Sequence, residues 1–189
     1  MYKALSKPPY PLLARLLMLA LFCLFVLGLT LALTSPSMAQ MEPRARMARG
    51  DTGLPLPRFV SLSKDKTNLR TGPGNQYPIQ WVYMVKGLPL MITSEYGAWR
   101  QIRDWEGTKG WVHSALLSGK RRAQITGKTR TLYAKPDIKS SPVLKVEATV
   151  LGDIRECKNL WCQVAISGKT GWLPQATIWG TFEQEAVEK

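Results

Sequence analysis

The residues able to do chemistry in this sequence are few. His113 is the single histidine in 189 residues. A general base or a metal ligand needs partners. His113 has no carboxylate near it in sequence and no second histidine to join it, so it reads as a turn residue at the end of a β unit. No serine stands in a nucleophile-elbow pattern, and no histidine is spare for a triad. Gly72-Pro73-Gly74 is not a phosphate loop, because no helix follows it and no Gly-Lys-Ser/Thr is present. The expectation is a chain without catalytic residues, cofactor or metal.

Aromatic and basic side chains are more promising. Trp81, Trp99, Trp105, Trp111, Tyr77, Tyr83 and Tyr96 fall within one short stretch and are too many for a single small core. Trp99 and Trp111 read as partly buried pillars. Tyr77, Tyr96 and Trp105 fall in loops. Beside Arg70, Arg100 and Arg103 these three could form a shallow groove for a peptide or a glycan. The alternative is that they only cap the ends of a barrel.

Export decides how the cysteines are read. Met1 to Arg15 carries Lys3, Lys7 and Arg15 and no acid, Leu16 to Leu33 is free of charge, and Ser37-Met38-Ala39 is a small-x-small ending. That order is a secretory signal peptide over 1–39, with cleavage after Ala39. The rival is an inner-membrane anchor formed by residues 16–33. Either way the remainder is expected in the periplasm or outside the cell. Cys23 leaves with the leader, which leaves Cys157 and Cys162 as an even pair in an oxidising setting. Matched against the earlier part of the chain they fall at Glu95 and Arg100, on the two sides of a hairpin, where Cα atoms can come within disulfide reach. A structural disulfide is expected, contributing about 2 kcal/mol for so short a loop. A redox pair is the alternative, but the spacing is not Cys-x-x-Cys.

These residues sit in an internal repeat. Leu69, Trp99 and Trp111 recur as Leu132, Trp161 and Trp172, at offsets of 63, 62 and 61, so the chain is read as two units of one kind. Gln40 to Pro57 is basic and rich in proline and glycine, and reads as a flexible linker (40–57). The first unit covers 58–120 and the second 121–180, and an acidic tail takes 181–189. Short runs such as Ile79 to Met84 and Trp99 to Arg103 favour strands, and Trp99, Gln101 and Arg103 share one face against Arg100 and Ile102. Gly72-Pro73-Gly74-Asn75 fits a type II turn with positive φ at Gly74. Short strands between glycine and proline turns indicate an all-β barrel or sandwich.

Asn68-Leu69-Arg70-Thr71-Gly72-Pro73-Gly74, then Trp99-x-x-Ile102, then Gly110-Trp111-Val112 resembles the bacterial SH3-like domain in its exported form. Leu132, Cys157, Trp161-Cys162 and Gly171-Trp172 resemble a divergent, cysteine-bearing copy. The resemblance implies two tandem small SH3-like barrels after the signal peptide, used as binding modules that often recognise cell-wall components. Leu69, Gly72, Pro73, Gly74, Trp99, Gly110 and Trp111, with Leu132, Trp161, Gly171 and Trp172, are then the residues that hold the barrels.

The net charge is +13, of which three lie in the leader. Such a charge favours anionic surfaces: lipid headgroups, wall polymers or nucleic acid. The export signal argues against nucleic acid. What the resemblance implies, together with the export signal and the surplus aromatics, is a cell-wall peptide or glycan as partner; the alternative is another envelope protein or an anionic membrane surface.

Overall fold

The computed structural model describes residues 48–188. The expected signal peptide, its apolar run and Cys23 lie outside them, as do Arg44 and Arg46. No helix among the described residues is long and apolar enough to cross a membrane. The described residues belong to one compact unit, whose strand pairs and two cores are all internal to it.

The all-β expectation holds, and the repeat is a repeat of topology. The first barrel begins with a small hairpin of β1 (Ala48–Arg49) and β2 (Pro55–Leu56). Its sheet is built from β3 (Arg58–Leu62), β4 (Thr67–Arg70), β5 (Ile79–Tyr83), β6 (Pro89–Tyr96), β7 (Trp99–Arg103), β8 (Lys109–His113) and β9 (Leu117–Ser118). The second barrel holds β10 (Arg122–Ile125), β11 (Arg130–Tyr133), β12 (Pro142–Val146), β13 (Leu151–Lys158), β14 (Trp161–Ile166), β15 (Lys169–Pro174) and β16 (Ile178–Trp179). The strand orders are β5-β4-β8-β7-β6-β3-β9 and β12-β11-β15-β14-β13-β10-β16, one arrangement written twice. Even the register shifts coincide, at Leu69/Arg70 and Leu132/Tyr133, and at Ile92/Ser94 and Ile154/Glu156. A bulge re-aims the side chains that follow it, so both barrels turn the same residues outward.

Each core follows from alternation. In β7, Arg100 and Ile102 face in while Trp99, Gln101 and Arg103 face out; in β14, Cys162, Val164 and Ile166 face in. Leu69, Ile102 and Val112 are fully buried in the first core, and Leu132, Val164 and Leu173 in the second. The barrels close where β4 meets β8 and β11 meets β15, each through one residue pair, Arg70 with Trp111 and Tyr133 with Trp172. At that contact Gly110 lies under Leu69 and Gly171 under Leu132. A Cβ on Gly110 would come 2.6 Å from the Leu69 side chain and 2.9 Å from the Arg70 carbonyl oxygen; on Gly171 it would come 2.9 Å from the Leu132 Cβ.

The structure corrects the reading of three segments. Gly74 does not take positive φ, so the Gly72–Asn75 turn is not type II. Instead Gly72 is needed because the Tyr77 ring lies on it, 2.4 Å from where a Cβ would stand. The second barrel has Lys135 and Ser140 at these places and still builds the same loop. Thr71 N donates to Pro78 O (3.1 Å) and Tyr77 N to Gly74 O (3.3 Å), as Ala134 N does to Ser141 O (2.9 Å) and Ser140 N to Asp137 O (3.0 Å). The expected flexible linker is, from Ala48 on, the β1–β2 hairpin, and Leu56 joins the first core. The acidic tail is also docked: Val187 enters the second core and pairs with Cys157.

The two barrels share an aromatic junction. Phe59 meets Trp179 edge-on at 5.0 Å and Phe182 at 4.8 Å between ring centroids, and the Trp179 Nε1–H donates to Pro89 O at 3.1 Å. Each aromatic pair contributes about 1 kcal/mol beyond its area.

The close approach at β8 yields a graded prediction. Gly110→Ala should destabilise by about 2–3 kcal/mol through overpacking. Gly171→Ala should cost less, and Gly119→Ala, which has open space around it, less than about 0.5 kcal/mol. Urea midpoints of the three variants check the order.

Candidate functional site

The outward residues of the first barrel form a continuous face. Across the sheet, Gln101 stands opposite Trp111, Trp111 opposite Arg70, and Arg70 opposite Ile79. One step along, Tyr96 stands opposite Trp99 and Trp99 opposite His113. Residues opposed in an antiparallel pair point to one side of the sheet. The result is a half-exposed platform with Trp99, Trp111 and His113 at its centre. His113 meets Trp99 edge-on at 5.3 Å, while its Nδ1 accepts the Ala115 amide at 3.2 Å and caps the one-turn helix Ser114–Leu116. Arg70 Nη1 donates to the Tyr77 carbonyl at 2.7 Å. The Tyr77 ring, seated on Gly72, is thereby held at the edge of the platform. Flat aromatic faces rimmed by an amide and a guanidinium suit a ligand with both apolar faces and hydroxyl or amide groups.

The six residues expected to form a groove do not converge. Tyr77 and Arg70 are joined as described. Tyr96 is 64% exposed and borders Trp99. Trp105 is exposed in the β7–β8 loop, beyond Arg103. It is separated from Tyr96 by the whole of β7, about 17 Å at a strand's rise. Asp104 pins that loop, accepting the Tyr83 hydroxyl at 2.9 Å and the Glu106 and Thr108 amides at 3.1 and 2.8 Å. Burial first, and then Asp104, push the Tyr83 phenol well above its ordinary value. Arg103 stacks over Trp179 at the junction, 5.4 Å from the ring centroid.

Arg100 departs furthest from the expected groove. It points inward, is 7% exposed, and sits 3.2 Å from the Glu95 carboxylate while donating to the Gly97 and Trp99 carbonyls. Glu95 is the anchor of this end of the barrel. Its side chain is fully buried and also takes Arg58 and both the amide (2.8 Å) and the hydroxyl of Thr52. Burial alone would push the carboxyl up. The Thr52 amide outweighs that together with Arg58, and the group is held at about 2. In the second barrel the equivalent pair is Cys157 and Cys162, joined by the expected disulfide with Cα atoms 4.1 Å apart.

The second barrel keeps the framework of the platform and covers it. Gln163, Trp172, Tyr133 and Pro142 follow the same cross-strand order, and Tyr133 meets Trp161 edge-on at 6.2 Å. Trp172 is buried, and the Lys158 ammonium lies over its ring at 5.3 Å. Pro174 replaces His113 opposite Trp161.

Trp111, Trp99 and Gln101 were not among the groove residues expected from sequence. Gly110 was the available signal: a glycine that must face a core leucine sends the next side chain outward.

A family model described as bacterial SH3 domain matches residues 63–119 and 127–180. Over 123 residues the chain is 28% identical to the putative N-acetylmuramoyl-L-alanine amidase YrvJ of Bacillus subtilis (strain 168). That match covers 59% of this chain and 24% of the relative, so the chain spans about a quarter of the curated relative. Among solved structures it is similar to NlpC2 from Trichomonas vaginalis, at 10% identity and a TM-score of 0.31, covering 65% of this chain and 48% of that one. It is likewise similar to an NlpC/P60 family protein from Bacillus cereus, at 13% identity and a TM-score of 0.30, covering 64% and 55%.

The Glu95 anchor predicts acid-sensitive stability. Its folded carboxyl lies below the ordinary value of 4.5, so its contribution is complete above that pH and is lost as pH falls towards about 2. Glu95→Gln should destabilise the protein by about 3 kcal/mol at neutral pH by leaving Arg58 and Arg100 without their carboxylate. It should also flatten the acid limb of a stability–pH curve measured by urea unfolding.

Proposed function

Because this chain belongs to the bacterial SH3 domain family, we propose that it is a non-catalytic, exported binding module that recognises peptidoglycan through the outer face of the first barrel. The observation that carries this reading is the row Gln101–Trp111–Arg70–Ile79 beside Trp99 and His113. A sugar ring offers an apolar face to an indole, and its hydroxyls and N-acetyl group meet the Gln101 amide and Arg70. A short wall peptide would lie along the same row, with Tyr77 at its edge. The name of the Bacillus subtilis relative, N-acetylmuramoyl-L-alanine amidase, joins a sugar to an amino acid, which is the mixed chemistry such a face suits.

The second barrel is assigned the supporting role, since Lys158 already occupies the face of Trp172. Its β11–β12 hairpin adds a further, weaker contact. Lys135, Lys139 and Lys145 are exposed there, as is Lys128 in the turn before β11, and none is ion-paired among the described residues. They would draw the module to anionic wall polymer or lipid headgroups in a salt-dependent way.

Pull-down of the unit beginning at Arg46 with purified peptidoglycan tests the reading. Trp111→Ala should lower binding by about 30-fold, the cost of a central aromatic anchor, with a melting temperature close to the parent. Wild-type recovery no better than a charge-matched control, or full binding by Trp111→Ala, overturns it. Raising salt should weaken the Lys128–Lys145 contribution without abolishing retention on the wall.

A further inference from the structure

Strand β5 ends the sheet of the first barrel, and among the described residues it pairs only with β4. An unpaired edge is a template for another strand, and proteins usually blunt it with a charge. The second barrel does so: Lys145 is exposed on β12, and its neighbours Val143 and Leu144 pack on their own core. The first barrel does the opposite. Val82 stands where Lys145 stands, Trp81 is 59% and Ile79 48% exposed, and Met84 just beyond is 71% exposed. From Thr71 to Val85 there is no charged residue at all.

We propose that β5 is a self-association edge, pairing antiparallel with β5 of a second copy of this chain. Charge selects the occupant. The chain carries +13, so two copies repel wherever lysines and arginines meet, and the uncharged strip from Thr71 to Val85 is where they approach at least cost. An acidic partner gains nothing from a strip without cations. A strand of apolar and amide side chains is what the edge accepts, and β5 is itself such a strand. Antiparallel self-pairing about a two-fold axis near Trp81 is isologous, with Trp81 beside the partner's Trp81. Ile79 ends the row that begins at Gln101, so pairing at β5 sets the platforms of two copies edge to edge in one extended sheet. For a polymeric ligand, two linked faces raise the effective concentration of the second contact. That last consequence rests on the proposed wall reading; the association itself does not.

Sedimentation velocity of the unit beginning at Arg46, without wall material, tests the association. Loading runs from about 1 µM to about 1 mM, the range in which modest interfaces assemble. The expected result is a concentration-dependent dimer that Trp81→Lys reduces to monomer at every concentration. Val82→Lys, which copies Lys145 onto the edge of the first barrel, should do the same. Circular dichroism and melting confirm that each variant is folded. A wild-type monomer throughout overturns the proposal, as does a dimer that survives both folded lysine variants.

Discussion

The closing contact of each barrel governs what the outer face can be. β4 and β8 lie far apart in sequence and pair through a single residue pair, as do β11 and β15. Closure there leaves no room for a side chain over Leu69 or Leu132, so only glycine fits at Gly110 and Gly171. Alternation then forces the next residue outward, and in both barrels that residue is tryptophan. The Gly-Trp pair is thus one device with two faces. The glycine lets the barrel shut, and the tryptophan stands at the centre of the surface that closure creates. Gln101 and Gln163 are opposed to these tryptophans in the same way.

The divergence of the repeats is most informative at Glu95–Arg100 and Cys157–Cys162. One inward-facing cross-strand position holds an ion-paired cluster in the first barrel and a covalent bond in the second. Each also receives a segment from outside its barrel sheet. Thr52 caps Glu95 from the N-terminal side, and Val187 pairs with Cys157 from the C-terminal side. A buried carboxylate needs donors from several directions, and the β1–β2 hairpin brings the Thr52 pair. A disulfide needs none, and the C-terminal segment is held instead by Gln175, whose Nε2 donates to Thr181, Phe182 and Glu185, and by Arg121 on Glu185. The Arg121 guanidinium and the Phe182 amide overcome the burial that would raise the Glu185 carboxyl, and hold it below its ordinary value.

Much of this architecture was legible in the residues. The offsets of Leu132, Trp161 and Trp172 from Leu69, Trp99 and Trp111 gave two copies of one unit, and matching Cys157 and Cys162 to Glu95 and Arg100 gave their shared hairpin position. The site was harder to read. Arginine is usually a surface residue, so Arg100 looked available although alternation set it on the Ile102 face, and the buried carboxylate of Glu95 is what satisfies it there. Trp99 and Trp111 were expected to be partly buried pillars and are half-buried, but their place at the centre of an outward face was not drawn from the pattern Trp99-Arg100-Gln101-Ile102, which already set Trp99 against the buried Ile102. The Gly72 turn misled for a related reason. Positive φ is the common use of glycine, whereas here a ring rests on it, which no local pattern reveals. The docking of Thr52 and Val187 was invisible because they gain their meaning from residues 43 and 30 positions away.

The attachment of Thr52 to Glu95 also has a mechanical side. A pull entering the folded unit at Ala48 does not reach the barrel sheet directly. It first loads the short β1–β2 hairpin and the Thr52 hydrogen bonds to Glu95, while Arg58 and Arg100, which lie on barrel strands, keep their hold on that carboxylate. Behind them, the Leu56 side chain must leave the core before β3 feels any tension. The β1–β2 segment is therefore placed to come away before the sheet that carries Trp99 and Trp111 is loaded. On the other side of the fold, the segment that ends in Val187 pairs directly with Cys157, one half of the covalent cross-link.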